Sequence, residues 1–142
     1  MHSLEVIYKN QHTIKKTRAI PFDFVLERLD TCAPTIRPMF GCHAIYVANR
    51  IVLILRNKPD SKYDNGVWLA TNPEHHASLK EILPCMRSIR LFGGSTSSWQ
   101  NIPLSADDFE ECVMKACDMV LKNDPRIGRI PKPKKKKTIR KR

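Results

Sequence analysis

After Pro125 the composition of the chain changes abruptly, and that change limits which residues can build a fold. Residues 125–142 hold ten Lys/Arg and no Asp/Glu, and Arg126–Arg142 contains three isoleucines, two prolines and no aromatic residue. Such a segment buries too little apolar surface to offset the entropy of ordering it, so most of it is expected to be a disordered tail. Only Arg126 to Pro131 has enough apolar character to pack back on what precedes it. The net charge of +11 therefore belongs mostly to the ends. Residues 1–20 carry four Lys/Arg and one acid, whereas residues 21–124 carry eleven Lys/Arg against thirteen Asp/Glu and are nearly neutral. The expected organisation is an N-terminal arm over 1–20, one domain over 21–124 and a basic tail over 125–142, a size that suits a single core.

Within the domain, periodicity separates helices from strands. Pro21 suits the first turn of a helix, and Phe22, Val25, Leu26 and Leu29 follow on one helical face until Ala33-Pro34 ends it. Met39 to Ala48 and Ile51 to Leu55, parted by Asn49-Arg50, read as an antiparallel hairpin. Lys58 to Gly66 is dense in Pro, Asp, Asn, Ser and Gly and reads as a loop before a third strand, Val67 to Ala70. Thr71 or Asn72 caps a helix running to about Leu83. Arg87 to Phe92 is again extended, Gly93-Gly94-Ser95 turns, and Ser98 to Leu104 supplies a fifth strand. Ser105 then caps a last helix, with Asp107, Asp108, Glu110 and Glu111 at its positive end and Phe109, Val113, Ala116, Cys117 and Val120 as its apolar stripe. The order is α-β-β-β-α-β-β-α, which predicts an α+β, two-layer sandwich with a mainly antiparallel sheet.

Several functions are disfavoured by what the residues lack. No run approaches the roughly 18 apolar residues of a membrane span, and no secretory signal is apparent, so a soluble, cytoplasmic chain is expected. Cys32, Cys42, Cys85, Cys112 and Cys117 are odd in number and lack C-x-x-C spacing, which reads as free core thiols. His75-His76 are adjacent on a helix and point about 100° apart, and neither they nor Cys42-His43 have zinc-ligand spacing, so no metal or other cofactor is expected. The Gly93–Ser98 stretch lacks the phosphate-loop pattern, and helix capping accounts for the clustered carboxylates. No catalytic residue is assigned. Trp68 and Trp99 have no cations beside them in sequence, which favours core packing over base stacking.

Arg37-Pro38-Met39-Phe40-Gly41, followed by Ile45-Tyr46-Val47, resembles the N-terminal domain of the TfoX family, and is similar to the related YjbR-like domains. That family opens its first strand with R-x-M-F-G-G after an amphipathic helix. The similarity runs over roughly residues 21–122, although Cys42 stands where the family has a second glycine. It implies the same two-layer α+β fold, with Met39, Phe40 and Gly41 as a packed strand entry and Arg37 as a surface or interface contact. The family is linked to regulation of competence and to a suspected role in DNA binding, with no agreed enzymatic activity.

The tail is the feature that the fold does not need. Lys132, Lys134, Lys135, Lys136, Lys137, Arg140, Lys141 and Arg142 are mostly lysines, which act as point charges and so suit phosphate contacts without sequence preference. The function expected is a non-enzymatic module that associates with nucleic acid through this tail. The alternative is a homodimerisation or protein-docking domain acting through its sheet, with the tail serving solubility only.

Overall fold

A computed structural model of the chain describes residues 19–93 and 98–130. Most of the N-terminal arm, the middle of the Gly/Ser-rich loop and the eight cations of the tail lie outside the described residues.

The sheet is built around the most apolar segment of the chain. Strands β1 (Thr35–Met39), β2 (Cys42–Val47), β3 (Arg50–Arg56), β4 (Gly66–Leu69), β5 (Arg87–Ser88) and β6 (Gln100–Pro103) form one sheet in the order β1-β2-β3-β4-β6-β5. Every neighbouring pair is antiparallel. Along β3 the side chains alternate between faces, Leu53 and Leu55 to one and Ile51 and Ile54 to the other, and all four are buried. The β2–β3 register skips Val52, a bulge that adds a second neighbouring side chain to the first face. Gly66 starts β4 so close to β6 that a Cβ there would lie 2.1 Å from the Ile102 carbonyl oxygen.

Helices α1 (Phe24–Arg28), α2 (His76–Ile82) and α3 (Phe109–Leu121) cover the first face. The expected stripe of α3, Phe109, Val113, Ala116, Cys117 and Val120, is buried there with Val25 and Leu29 of the α1 region and Leu79 and Leu83 of the α2 region. Phe22 adds a ring 5.2 Å from that of Phe109. Arg28 pairs with Asp118 at 2.6 Å, but both side chains are about two-fifths exposed, so packing rather than charge joins α1 to α3. The result is the expected α+β sandwich, with helices on one side of an antiparallel sheet.

The order among the described residues, α-β-β-β-β-α-β-β-α, contains one strand more than periodicity suggests. β1 is an exposed edge strand carrying Pro38, which cannot donate to a ladder and is tolerated only where one side is unpaired. Met39, Phe40 and Gly41 therefore do not form a packed strand entry. Met39 closes β1, and Phe40 and Gly41, at φ of 54° and 73°, make a two-residue hairpin turn to Cys42. The next turn is Ala48-Asn49, one residue earlier than expected, with Arg50 already in β3. Arg87 to Phe92 is extended only at β5 before a 3₁₀ turn at Leu91–Gly93. Ser105 does not cap α3. The chain turns twice after β6, and Asp108 precedes the first helical residue, leaving Glu110 and Glu111 in the first turn.

Beyond α3 the chain returns to the sheet instead of leaving it. Ile127 is fully buried in the helix-side core, and Arg129 exchanges two 3.0 Å backbone hydrogen bonds with Ile51 beside the bulge. Arg126 braces this return, donating from Nε and Nη2 to the Asp124 carboxylate at 3.0 and 2.8 Å. Those bonds hold Asp124 down to about 2, from an ordinary carboxylate value of 3.8.

Two outcomes follow from this closure. Deleting residues 131–142 should leave the thermal midpoint within about 2 °C, whereas deleting 125–142 removes Ile127 and should lower it by on the order of 10 °C. Thermal melts of the two truncations check this. Asp124 is held below its unfolded value, so its contribution is present above about pH 4 and lost as pH falls toward 2. Asp124→Asn should cost about 1–2 kcal/mol at pH 7, allowing for solvent screening, and almost nothing at pH 2 in denaturant titrations.

Candidate nucleic-acid interface

Among the described residues, no α-helix lies over the second face of the sheet. Cys42, Ala44, Ile51, Ile54, Trp68, Ala70 and Ile89 form a smaller core there, with Met39, Tyr46, Leu91 and Trp99 packed at its margin. Phe40 and Phe92 lie above it. Their rings meet edge-on at 5.0 Å, Trp68 lies 6.5 and 6.2 Å from them, and Trp99 lies 5.8 Å from Trp68 and 6.4 Å from Phe40. Trp68 is fully buried, while Phe40 and Phe92 are 50% and 59% exposed.

Both outer rings stand on left-handed backbone, at φ of 54° for Phe40 and 67° for Phe92. Bulky residues rarely adopt that conformation, which costs roughly 1–2 kcal/mol each. Neither solvent exposure nor backbone preference favours phenylalanine at these two positions, and such outliers cluster at functional sites.

A buried carboxylate fastens the loop that carries Phe92. Asp64 is 1% exposed and accepts the backbone N–H of Arg90 at 2.9 Å and of Leu91 at 2.8 Å. The Trp68 indole N–H donates to the Asp64 carbonyl at 2.8 Å, which ties the same turn to β4. Arg56, also buried, organises the rest of the 57–65 loop by donating to the Asn65 side chain and to the carbonyls of Asp60 and Ser61.

Cations are stacked around this face. The Arg129 guanidinium lies 4.8 Å from the Trp99 ring centre and donates to Ser98 Oγ at 3.2 Å. Arg37 lies 5.0 Å from the ring centre of Tyr46, and Arg87 and Arg90 lie 3.6 and 3.5 Å from that of Tyr63. Burial lowers Arg129 from its usual value, but arginine starts so far above neutrality that it stays charged. Trp99 therefore does have a cation beside it, supplied thirty residues later in the chain. Arg37, assigned as a surface contact, is exposed on β1.

The tail cations from Lys132 to Arg142 lie outside the described residues, but Lys132 is only three residues beyond Arg129. The histidines do not converge: His75 meets Glu74 at 3.5 Å, whereas His76 Nε2 lies 3.4 Å from the Ser98 carbonyl. The five cysteines are free. Burial pushes the Cys42 thiol up, with Arg56 and Lys58 pulling the other way. No helix among the described residues is long and apolar enough to cross a membrane. No protein-family model, curated protein or solved structure matches the chain.

Replacing a half-exposed ring on left-handed backbone by asparagine removes packing but relieves strain of similar size. Phe92→Asn is accordingly expected to change unfolding free energy by less than about 1 kcal/mol. Trp68→Ala, which empties a buried site, should cost about 3–5 kcal/mol, and denaturant titrations of both variants test the contrast.

Proposed function

We propose that this chain is a non-enzymatic binding module, resembling the TfoX N-terminal domain, that holds nucleic acid without sequence preference. The basic tail neutralises phosphates, and the exposed aromatic face beside its root receives unstacked bases. The observation that carries this reading is Arg129. It is a folded cation anchored on Trp99, among the aromatic rings, and the lysine-rich run begins three residues later. Phosphate-neutralising charge and base-sized π surfaces together are the usual combination for single-stranded nucleic acid. The half-exposed rings of Phe40 and Phe92 supply the second element, and Arg37, Arg90 and Arg129 add charge near it.

Fluorescence anisotropy with labelled single-stranded and duplex DNA, across a range of salt, tests the proposal. Duplex binding should fall with salt at a log–log slope of roughly −4 to −7 if most of the eight tail cations engage, at about −0.9 per phosphate neutralised. Deleting residues 132–142 should remove most of that slope and most of the affinity at low salt. Phe92→Asn should leave the slope unchanged and weaken single-stranded binding about tenfold, since one stacked base is worth about 1–3 kcal/mol. No binding by the full chain at low salt would overturn the proposal and favour a protein-docking or homodimerisation role.

A further inference from the structure

On the helix side, remote from the aromatic face, three metal-ligating groups converge from two elements. Asp108 precedes the first residue of α3, Cys112 lies one turn further along it, and Cys85 sits in the turn between α2 and β5. Cys85 Sγ donates to Cys112 Sγ at 3.4 Å, and Cys112 Sγ donates to Asp108 Oδ2 at 3.4 Å. All three ligand atoms lie within 4.8 Å of one another. Zinc bonds of about 2.3 Å to sulfur and about 2.0 Å to oxygen require tetrahedral edges of about 3.5–3.8 Å between donors. Two of the three separations are close to those edges and the third lies within 4.8 Å, so side-chain rotations would bring the three donors onto one ion.

We propose that Cys85, Asp108 and Cys112 form a binding site for one zinc-class divalent cation, with the fourth position open to water. This goes beyond the nucleic-acid reading and does not depend on it. Two thiolates select a borderline-soft metal over magnesium or calcium, and the carboxylate oxygen disfavours copper(I). Exposure grades suitably for entry: Asp108 is exposed, Cys85 half-buried and Cys112 buried. The Asp108 carboxylate beside Cys112 supplies negative charge where a cation must displace the thiol protons. In the binding step the metal forms two M–S bonds and one M–O bond and releases two protons at neutral pH, with no change in oxidation state.

Two cysteines 27 positions apart carry no linear metal motif, which is why spacing alone gives no hint of the site. The i, i+4 placement of Asp108 and Cys112 on one helix face is the one local signal.

Calorimetric titration of chelator-treated, reduced full-length protein with Zn2+, and optical titration with Co2+, test the proposal. The expected result is one ion per chain, proton release, a thiolate-to-cobalt charge-transfer band and a thermal midpoint raised by Zn2+. Cys85→Ser and Asp108→Asn should each weaken binding by at least about tenfold, while Cys117→Ser, in the same helix, should not. Asp108 is exposed, so that variant should fold whatever happens to the thiol variants. Absence of stoichiometric binding, binding unaffected by Cys85→Ser and Asp108→Asn, or isolation of only a Cys85–Cys112 disulfide would each overturn the proposal.

Discussion

β3 runs through the middle of the sheet with apolar side chains directed to both faces, so two separate layers must exclude water from it. Three helices among the described residues supply the first. Among the described residues the second has no α-helix or strand of its own and is assembled from a 3₁₀ turn, single rings and the strand-like return at Arg129. Backbone groups in such a layer have no ladder to satisfy them, and side chains must take over. Asp64 does so for Arg90 and Leu91, and Arg56 for Asp60 and Ser61. Two buried charges thereby do for the irregular layer what helical hydrogen bonds do for the regular one.

That construction accounts for where the aromatic surface lies. A helix laid over Trp68 would hide it in aliphatic side chains. A pair of turns instead leaves two rings half in water, each held at a backbone conformation that glycine or asparagine would accept more readily. The convergent thiols belong to the opposite layer, since Cys112 packs with the helix-side core. The two candidate sites therefore occupy different faces of one sheet and can be perturbed independently, because variants that share no partners act close to additively.

Much of the architecture was legible in the chain itself, and the exceptions have physical reasons. The α3 stripe, β3 and the body of β4 follow from burial, which periodicity reports directly, whereas Gly66, read as loop, already pairs in the ladder. β1 left almost no signal because an exposed edge strand has no buried face, and Pro38 cannot donate to a ladder. Ser105 looked like a cap because serine next to an acidic run usually is one, yet Leu104 donates to Asn65 and turns the chain before the helix begins. Ile127 was separable from the tail only as an apolar residue among cations, and its burial depends on the tight turn at Asn123 to Pro125. The charged tail could be read from composition. The aromatic face could not, because Phe40, Trp68, Phe92 and Trp99 come from four segments and Arg129 from a fifth.

In the proposed function, the connection at Ile127 to Ile130 is what would couple tail and face. A flexible polycation joined to a domain by a long linker would explore a large volume, and its effective concentration at any one surface would fall with linker length. Here the ladder-like bridge between Arg129 and Ile51 fixes the root of the tail to the sheet, with one guanidinium already on an aromatic ring. On the proposed nucleic-acid reading, a strand drawn in by the lysines would be delivered close to the Trp99 ring and its neighbours Phe40 and Trp68. The two contributions differ in kind: counterion release weakens steeply with salt, whereas ring stacking buries apolar surface and is little screened. Under that proposal tail charge would govern capture and folded rings retention, a division of labour that rests on the return of residues 125–130 to the sheet.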